Sequence, residues 1–169
     1  MSFVTGIADR LAGLPPAAIY AVAGLLLAAE VGLLIGLAVP AASIMLALGA
    51  LAATDRIDLT TAIAVATASA AAGDSIGYWE GRLTGPRLRT SRLARRIGAD
   101  RWHRAERMLR RGAPAIVLGR WTAYARTLVP RLAGAAGIRY RTFLLYNLPA
   151  VVVWIPASVL LGYLGLTFW

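Results

Sequence analysis

Two carboxylates lie in stretches of this sequence that are otherwise apolar. Glu30 is the single charge in Ala17–Val39, and Asp74 lies near the far end of Leu59–Trp79. A charge within an apolar span is costly, so it must be paired, wetted or protonated. Glu30 is therefore either a proton-titrating group, a counter-ion to a buried arginine, or a neutral side chain hydrogen-bonded to a neighbouring helix. Asp74 is either a second proton-coupling group or a solvated, capping side chain at the end of a span.

Three arginines interrupt a second apolar stretch, Ala113–Ile138: Arg120, Arg126 and Arg131. Arg120 and Arg126 would face about 240° apart on an unbroken helix. If the chain breaks between them, both can point into one pocket, where two guanidiniums would bind a phosphate through bidentate, charge-assisted bonds. The alternative is a structural pairing of these arginines with the two carboxylates. Arg131 is either a further substrate-binding group or a side chain that snorkels to the membrane interface.

The composition indicates a helical membrane protein. The 169 residues are 59% hydrophobic, against about 45–50% in soluble domains, and the mean hydropathy is +0.65. The net charge is +10, all 18 basic residues are arginine, and there is no cysteine. Most of this charge flanks apolar spans, so membrane topology explains it better than nucleic-acid binding.

Enzyme chemistry is not expected from these residues. The single histidine, His103, lies among arginines and is interpreted as a solvated surface residue. The eight acidic residues are scattered, and no phosphate-binding glycine loop is present, so we expect neither a metal nor another cofactor.

The order of apolar and charged stretches predicts one all-α, polytopic membrane domain over residues 1–169. A break at Pro40, followed by an apolar piece too short to span, predicts a re-entrant hairpin, and the interrupted stretch around Arg126 predicts a second. The predicted elements are a first re-entrant hairpin at about 30–53, a span at 59–79, a basic segment at 82–111, a second re-entrant hairpin at about 113–138, and a span at 142–168.

The basic segment contains 11 of the 18 arginines. The positive-inside rule places it in the cytoplasm. Trp102, Met108 and Leu109 are predicted to form the apolar side of an interfacial helix there, on a surface that attracts anionic lipids.

The two halves of the chain echo each other. Each has a broken apolar piece followed by a full span, and the spans carry Gly77-Tyr78 and Gly162-Tyr163. Paired broken segments are typical of transporters built from inverted repeats, with a site near the membrane midplane.

Two runs of residues resemble motifs of the DedA family, also called the SNARE-associated or VTT domain. Gly73–Gly85 resembles that family's G-D-x-x-x-Y-x-x-G-R-x-x-G, and Arg120–Arg126 resembles its R-F-x-P-x-x-R. Matching downstream positions are Pro130, Ala133-Gly134, Phe143, Asn147, Trp154 and Gly162-Tyr163. The order and spacing of these motifs extend the resemblance over about Leu26 to Gly165.

The resemblance implies a bacterial inner-membrane protein in which two re-entrant hairpins face each other. It also implies a role in envelope integrity and dependence on the proton gradient. Some members of the family are proposed to flip undecaprenyl phosphate, and eukaryotic relatives scramble phospholipids. The functional positions carried over are Glu30, Arg120 and Arg126.

The sequence departs from the family pattern at two positions. Ala42 stands where many members have an acidic residue in the first hairpin, which weakens the case for a relay of two carboxylates. Ala123 replaces the proline of the arginine motif, so a break there has to come from Tyr124 or from tertiary packing.

The leading hypothesis is a lipid transporter that moves a phosphate-bearing lipid between leaflets. Arg120 and Arg126, aided by Arg131, would hold the phosphate, while Glu30 and Asp74 would couple to protons. The expected partners are membrane lipids, protons and a second copy of the chain. The alternatives are a proton-coupled transporter of a small solute and a non-transporting membrane scaffold.

Overall fold

A computed structural model of the protein describes residues 13–32, 41–89 and 125–165, together with Gly6, Arg95, Gly98, Asp100 and Arg107. Within these residues the regular structure is entirely helical, as predicted. The helices are α1 (Pro16–Gly32), α2 (Ala41–Ala53), α3 (Leu59–Arg89), α4 (Ala125–Ala135) and α5 (Tyr140–Tyr163).

Two of these helices are long and apolar enough to cross a membrane: α3 over Leu59–Gly85 and α5 over Tyr140–Tyr163. Only 28% of each apolar window is buried inside the protein. A core helix of a soluble protein would be mostly buried, so the exposed apolar faces fit a lipid environment. Both predicted spans are therefore present as helices, although α3 continues past Trp79 into the basic segment.

The segment predicted to form the first hairpin is described in part, as helix α2. Its 13 residues extend about 20 Å, less than the roughly 30 Å of hydrocarbon in a bilayer. Ten of the 13 are buried, which is typical of a helix enclosed by other helices. Residues 33–40, which connect α1 to α2 and include Pro40, lie outside the described residues.

The second predicted hairpin is described from residue 125 onward, as the 11-residue helix α4. Pro130 lies inside α4 and does not end the helix. A proline at an inner helical position removes one backbone hydrogen bond, and its ring crowds the carbonyl four residues earlier. The residues predicted to form the interfacial helix, Trp102, Met108 and Leu109, lie outside the described residues, and so does His103.

Both short helices end in the same kind of turn. After α2, the N–H of Arg56 donates to the carbonyl of Leu51 over 3.1 Å, and Asp55 takes a positive φ of 56°. After α4, Gly137 takes the equivalent left-handed conformation, with φ 77°. These are Schellman turns, which satisfy the last carbonyls of a helix and reverse the chain. Each short helix is thereby followed within a few residues by a long one.

Asp58 starts helix α3. Its carboxylate accepts hydrogen bonds from the backbone N–H of Thr61 at 2.7 Å and from the Thr61 hydroxyl at 2.6 Å. The Tyr20 hydroxyl of α1 accepts from the Asp58 N–H at 2.8 Å and donates to the Asp58 carbonyl at 3.2 Å. The N-cap and the tyrosine together fix the start of α3 beside α1.

The described chain divides into two compact units. The first unit is Met1–Gly73 with Val151–Trp169, and the second unit is Asp74–Ala150. In the first unit, apolar residues at spacings of four on three helices meet the buried face of α2. These residues are Ile19, Ala23 and Leu27 of α1, Ala62, Ala66 and Ala70 of α3, and Val151, Ile155 and Val159 of α5.

Each unit presses its short helix against a long helix through a pair of glycines. In the first unit, a Cβ on Gly49 would collide with the carbonyl of Val159, and Gly162 lies against the backbone of Leu46. In the second unit, a Cβ on Gly81 would collide with the carbonyl of Arg131, and Gly134 lies against the backbone of Tyr78. Small residues let helix backbones approach this closely.

The internal echo predicted from Gly77-Tyr78 and Gly162-Tyr163 therefore falls partly on other residues. Gly81, rather than Gly77, plays the part in the second unit that Gly162 plays in the first. A tyrosine also holds the turn after each short helix: Tyr20 bonds to Asp58, and the Tyr78 hydroxyl donates to the carbonyl of Ile138. The two units share a construction that the short sequence echo only partly indicates.

Candidate functional site

Glu30 is buried in the first unit, on helix α1, with 6% of its surface exposed. Close by on α1, the carbonyl of Ala28 lies 2.7 Å from the position that a Cβ on Gly73 would occupy. Helices α1 and α3 are therefore nearly in backbone contact here, and Glu30 lies beside a tight helix crossing. The three interpretations of Glu30, as a proton-titrating group, a counter-ion or a neutral hydrogen-bonded side chain, remain predictions.

Asp74 is completely buried in the second unit, on helix α3. The side-chain amide of Asn147, on α5, donates a hydrogen bond of 2.7 Å to its Oδ2. The interpretation of Asp74 as a solvated or capping residue is therefore wrong, because α3 continues past this residue and α5 covers it. A buried carboxylate with an amide donor is a polar contact built into the packing of two apolar helices.

Arg131 is also buried in the second unit, with 2% of its surface exposed. Its Nε donates to Oε2 of Glu80 over 2.9 Å, which joins α4 to α3. The guanidinium passes 3.6 Å from the position of a Cβ on Gly77, which is an ordinary contact distance. The interpretation of Arg131 as a snorkelling side chain is wrong, since the side chain is enclosed between helices. Its proposed contact with substrate remains a prediction.

Four aromatic rings surround the start of α5 in the second unit: Tyr78, Trp79, Tyr140 and Phe143. Tyr78 stacks on Phe143 with ring centroids 5.0 Å apart. The Tyr140 hydroxyl donates to the hydroxyl oxygen of Ser75 over 2.9 Å. These contacts pack α3 against α5 close to the hydrogen bond between Asp74 and Asn147.

The two arginines predicted to bind phosphate are only partly described. Arg126 lies in the first turn of α4. Arg120 lies outside the described residues, and so does the side chain of Arg126. The pocket that these arginines would form together therefore remains a prediction.

Sequence reasoning did not assign roles to Glu80 and Asn147, the partners of Arg131 and Asp74. The sequence could have indicated a role for Asn147, because an amide in an otherwise uncharged span needs a hydrogen-bonding partner. Glu80 was harder to identify, because a carboxylate beside the basic segment is expected to be solvated. Among the described residues, no group of three or more histidine or acidic side chains is placed to bind a metal ion.

The chain is similar to one family of membrane proteins. The VTT domain family matches residues 39–164, a region that includes Asp74, Arg120, Arg126 and Arg131 but begins after Glu30. Protein DedA of Escherichia coli K12 is 32% identical over 150 residues, which cover 86% of this chain and 68% of DedA.

Two inner membrane proteins of the same bacterium are also similar. YghB is 33% identical over 79% of this chain and 62% of its own length, and YqjA is 28% identical over 86% of this chain and 67% of its own length. The chain thus spans about two thirds of the length of these relatives. No solved structure matches it. The motifs, the helical membrane architecture and these matches together show that the chain belongs to the DedA family of VTT-domain membrane proteins.

Proposed function

We propose that this protein is a transporter that moves a phosphate-bearing lipid, either undecaprenyl phosphate or a phospholipid, between the leaflets of the bacterial inner membrane. The headgroup would pass through a polar site within the protein while the hydrocarbon tails remain in lipid. The short helices α2 and α4 would be the inner arms of two re-entrant hairpins. The partners in this scheme are the lipid itself and protons.

The observation that carries the proposal is the fully buried Asp74–Asn147 contact between two candidate membrane spans. Burying a carboxylate in apolar helices is costly, and an intramembrane ionisable group therefore points to a transport pathway or a proton relay. Asp74 can exchange a proton while Asn147 keeps one of its oxygens hydrogen-bonded. Glu30, buried on α1, supplies the second carboxylate of the proposed coupling.

The phosphate would be held by arginine. Arg126 lies at the start of α4, so its guanidinium and the partial positive charge of the helix N-terminus would act on the same anion. Arg120 would complete the binding group, as two guanidiniums match the geometry of one phosphate. Arg131 would contribute to phosphate binding indirectly, because its ion pair with Glu80 holds α4 against α3.

A second candidate function is the proton-coupled transport of a small solute, which the buried Asp74 and Glu30 favour independently of the arginines. In that case the lipid headgroup would not matter, and substrate-dependent proton flux would be equal in vesicles of different headgroup composition. A non-transporting scaffold would tolerate loss of all these charges in a complementation assay.

Headgroup translocation in liposomes tests the proposal. Purified protein is reconstituted, and the flipping of a labelled polyprenyl phosphate and a labelled phospholipid is measured by quenching of the outer-leaflet label. We expect Arg120→Ala and Arg126→Ala to lower the rate at least about tenfold, since each removes a charge-assisted contact with the phosphate. Equal rates in these variants and in the native protein would contradict the proposal.

Arg56→Ala is the matched control, because Arg56 is an exposed arginine in the turn before α3, far along the chain from the arginine motif. It removes the same charge and should leave the flipping rate unchanged. Asp74→Asn keeps the shape and hydrogen-bonding capacity of the side chain but cannot release a proton. It should abolish the dependence of flipping on a pH gradient while the protein stays folded.

A further inference from the structure

Three arginines lie at one end of the second unit, outside the transport site proposed above. Arg82 is on α3, and Arg139 and Arg141 flank the start of α5; all three side chains are exposed. The Arg82 guanidinium lies 3.7 Å from the position of a Cβ on Gly137, so it reaches over the turn that leads to Arg139. Residues from two distant parts of the sequence thus form one basic surface, which we call the Arg82 surface.

The acidic side chains closest to this surface in the sequence already have partners. Residues 74–89 and 125–150 contain two acidic side chains, Asp74 and Glu80. Asp74 is fully buried against Asn147, and Glu80 is paired with Arg131. In the described part of the chain, no carboxylate forms a salt bridge with Arg82, Arg139 or Arg141. The surface therefore presents three guanidiniums whose charge is not neutralised by these acids.

The Arg82 surface lies at the level where lipid headgroups are expected. The stretch of α3 from Leu59 to Trp79 extends about 30 Å, which matches the hydrocarbon thickness of a bilayer. Trp79 is 49% exposed, and its ring contacts that of Tyr140 with centroids 5.6 Å apart. Exposed tryptophan and tyrosine rings mark the membrane–water interface. The arginines lie directly beyond these rings.

Apolar side chains continue from this surface toward the bilayer. Ile76, one turn before Trp79, and Leu145, one turn after Arg141, are both exposed. A molecule held at the arginines would therefore have apolar protein surface beneath it on both helices. A soluble phosphate would make no use of these side chains, whereas the acyl chains of a phospholipid would lie along them.

We propose that the Arg82 surface binds the headgroup of an anionic phospholipid in the adjacent leaflet. Arg82, Arg139 and Arg141 contact the phosphate and glycerol oxygens, Trp79 and Tyr140 lie at the glycerol level, and Ile76 and Leu145 contact the acyl chains. The site is separate from the proposed phosphate-binding pair Arg120 and Arg126. It would fix the depth and tilt of the second unit in the membrane whether or not the protein transports lipid.

Selective quenching of Trp79 tests this proposal. The protein is reconstituted in phosphatidylcholine vesicles containing equal mole fractions of brominated phosphatidylglycerol or brominated phosphatidylcholine. The emission of Trp79 is obtained as the difference between the native protein and Trp79→Phe. We expect quenching by the brominated phosphatidylglycerol to indicate about three- to tenfold enrichment over phosphatidylcholine, since each arginine near the surface favours anionic lipid.

The triple change Arg82→Gln, Arg139→Gln and Arg141→Gln should bring the enrichment to about one, whereas the corresponding triple lysine variant should keep most of it. Arg56→Gln, in the turn at the other end of α3, is the matched control and should keep the native value. Unchanged enrichment in the triple glutamine variant overturns the proposal.

Two further measurements keep the test decisive if the triple variant does not fold. In the native protein the enrichment should fall as sodium chloride is raised, because salt screens exposed charges; an enrichment that is indifferent to salt overturns the proposal. Inorganic phosphate should compete no better than chloride at the same ionic strength. Specific displacement by inorganic phosphate would identify a soluble-anion site and also overturn it.

Discussion

At the scale of single residues, the second unit holds its buried polar groups in pairs that join neighbouring helices. Asp74 with Asn147 joins α3 to α5, and Arg131 with Glu80 joins α4 to α3. In an apolar setting each partner limits the desolvation cost of the other. Both pairs therefore contribute to the packing of the helices, and the Asp74–Asn147 pair would also take part in the proposed proton chemistry.

We expect Asn147→Ala to destabilise the protein by about 1–3 kcal/mol, because it removes a hydrogen bond to a fully buried carboxyl group. Thermal unfolding in detergent, combined with Asp74→Ala in a double-mutant cycle, measures the coupling. Ser158→Ala is the control, since the Ser158 hydroxyl donates to the carbonyl of Trp154 within the same helix, α5. Additive effects of the Asn147 and Asp74 changes would contradict the pairing.

The Arg131–Glu80 pair should respond asymmetrically to mutation. Glu80→Ala leaves a buried guanidinium without its carboxylate and should cost about 1–3 kcal/mol, less than for a fully buried pair because Glu80 is 38% exposed. Arg131→Met leaves a glutamate that water can reach, and it should cost less. Glu80→Gln should be intermediate, as its amide oxygen still accepts a hydrogen bond. Unfolding temperatures that rank Arg131→Met below Glu80→Ala would contradict this account.

At the scale of helices, close approach and capping decide where each element lies. The glycines at the two short-helix contacts are required by the space available, and Asp58 and Tyr20 fix where α3 begins. Neighbouring residues of the same type differ in importance because only some lie at the point of contact.

Gly81→Ala and Gly77→Ala form a matched pair on helix α3. A Cβ on Gly81 would collide with the carbonyl oxygen of Arg131, and a backbone cannot yield as a side chain can. A Cβ on Gly77 would lie 3.5 Å from the nearest atom, in ordinary contact. We expect Gly81→Ala to destabilise by about 1–3 kcal/mol and Gly77→Ala to be neutral or slightly stabilising, since alanine favours helix. Equal melting temperatures for the two variants would contradict the close contact.

Asp58 should give the start of α3 a dependence on pH. Hydrogen bonds from the Thr61 hydroxyl and the Thr61 N–H hold the pKa of the Asp58 carboxyl below its ordinary value. A pKa lowered by folding contributes stability at neutral pH, which is lost as the pH falls from about 4 through the lowered pKa. The melting temperature of the native protein relative to Asp58→Asn should therefore fall over this range. A difference that is constant between pH 7 and pH 3 would contradict the assignment.

At the scale of the whole molecule, charge is distributed unevenly between the two ends of helix α3. Asp55, Arg56 and Asp58 precede the helix, whereas Arg82, Arg87 and Arg89 lie in its last turns. The positive-inside rule places the arginine-rich end in the cytoplasm.

The chain contains no cysteine, so this orientation can be measured without a background of native thiols. In spheroplasts, a membrane-impermeant maleimide should label Thr54→Cys, before α3, and should not label Arg82→Cys. Inverted membrane vesicles should give the opposite result. Labelling of both positions from one side would show that α3 does not cross the membrane.

The sequence by itself determined the membrane class, the positions of both long helices and the family. These features depend on hydropathy summed over about twenty residues and on motifs that are local in the chain. It also identified Glu30, Asp74 and Arg131 as residues whose burial in an apolar stretch is energetically unfavourable. This follows from the residue type and its surroundings in the sequence, whichever residue is the partner.

Only the tertiary structure decided which partners stabilise these buried polar groups. Arg131 finds Glu80 51 residues away, and Asp74 finds Asn147 73 residues away. Pro130 remains inside a helix, and Gly81 rather than Gly77 lies at the tight crossing. Such outcomes depend on which helices pack together and in what register, which no local pattern specifies. For the same reason, Arg82 and Arg139 share one surface although more than fifty residues separate them.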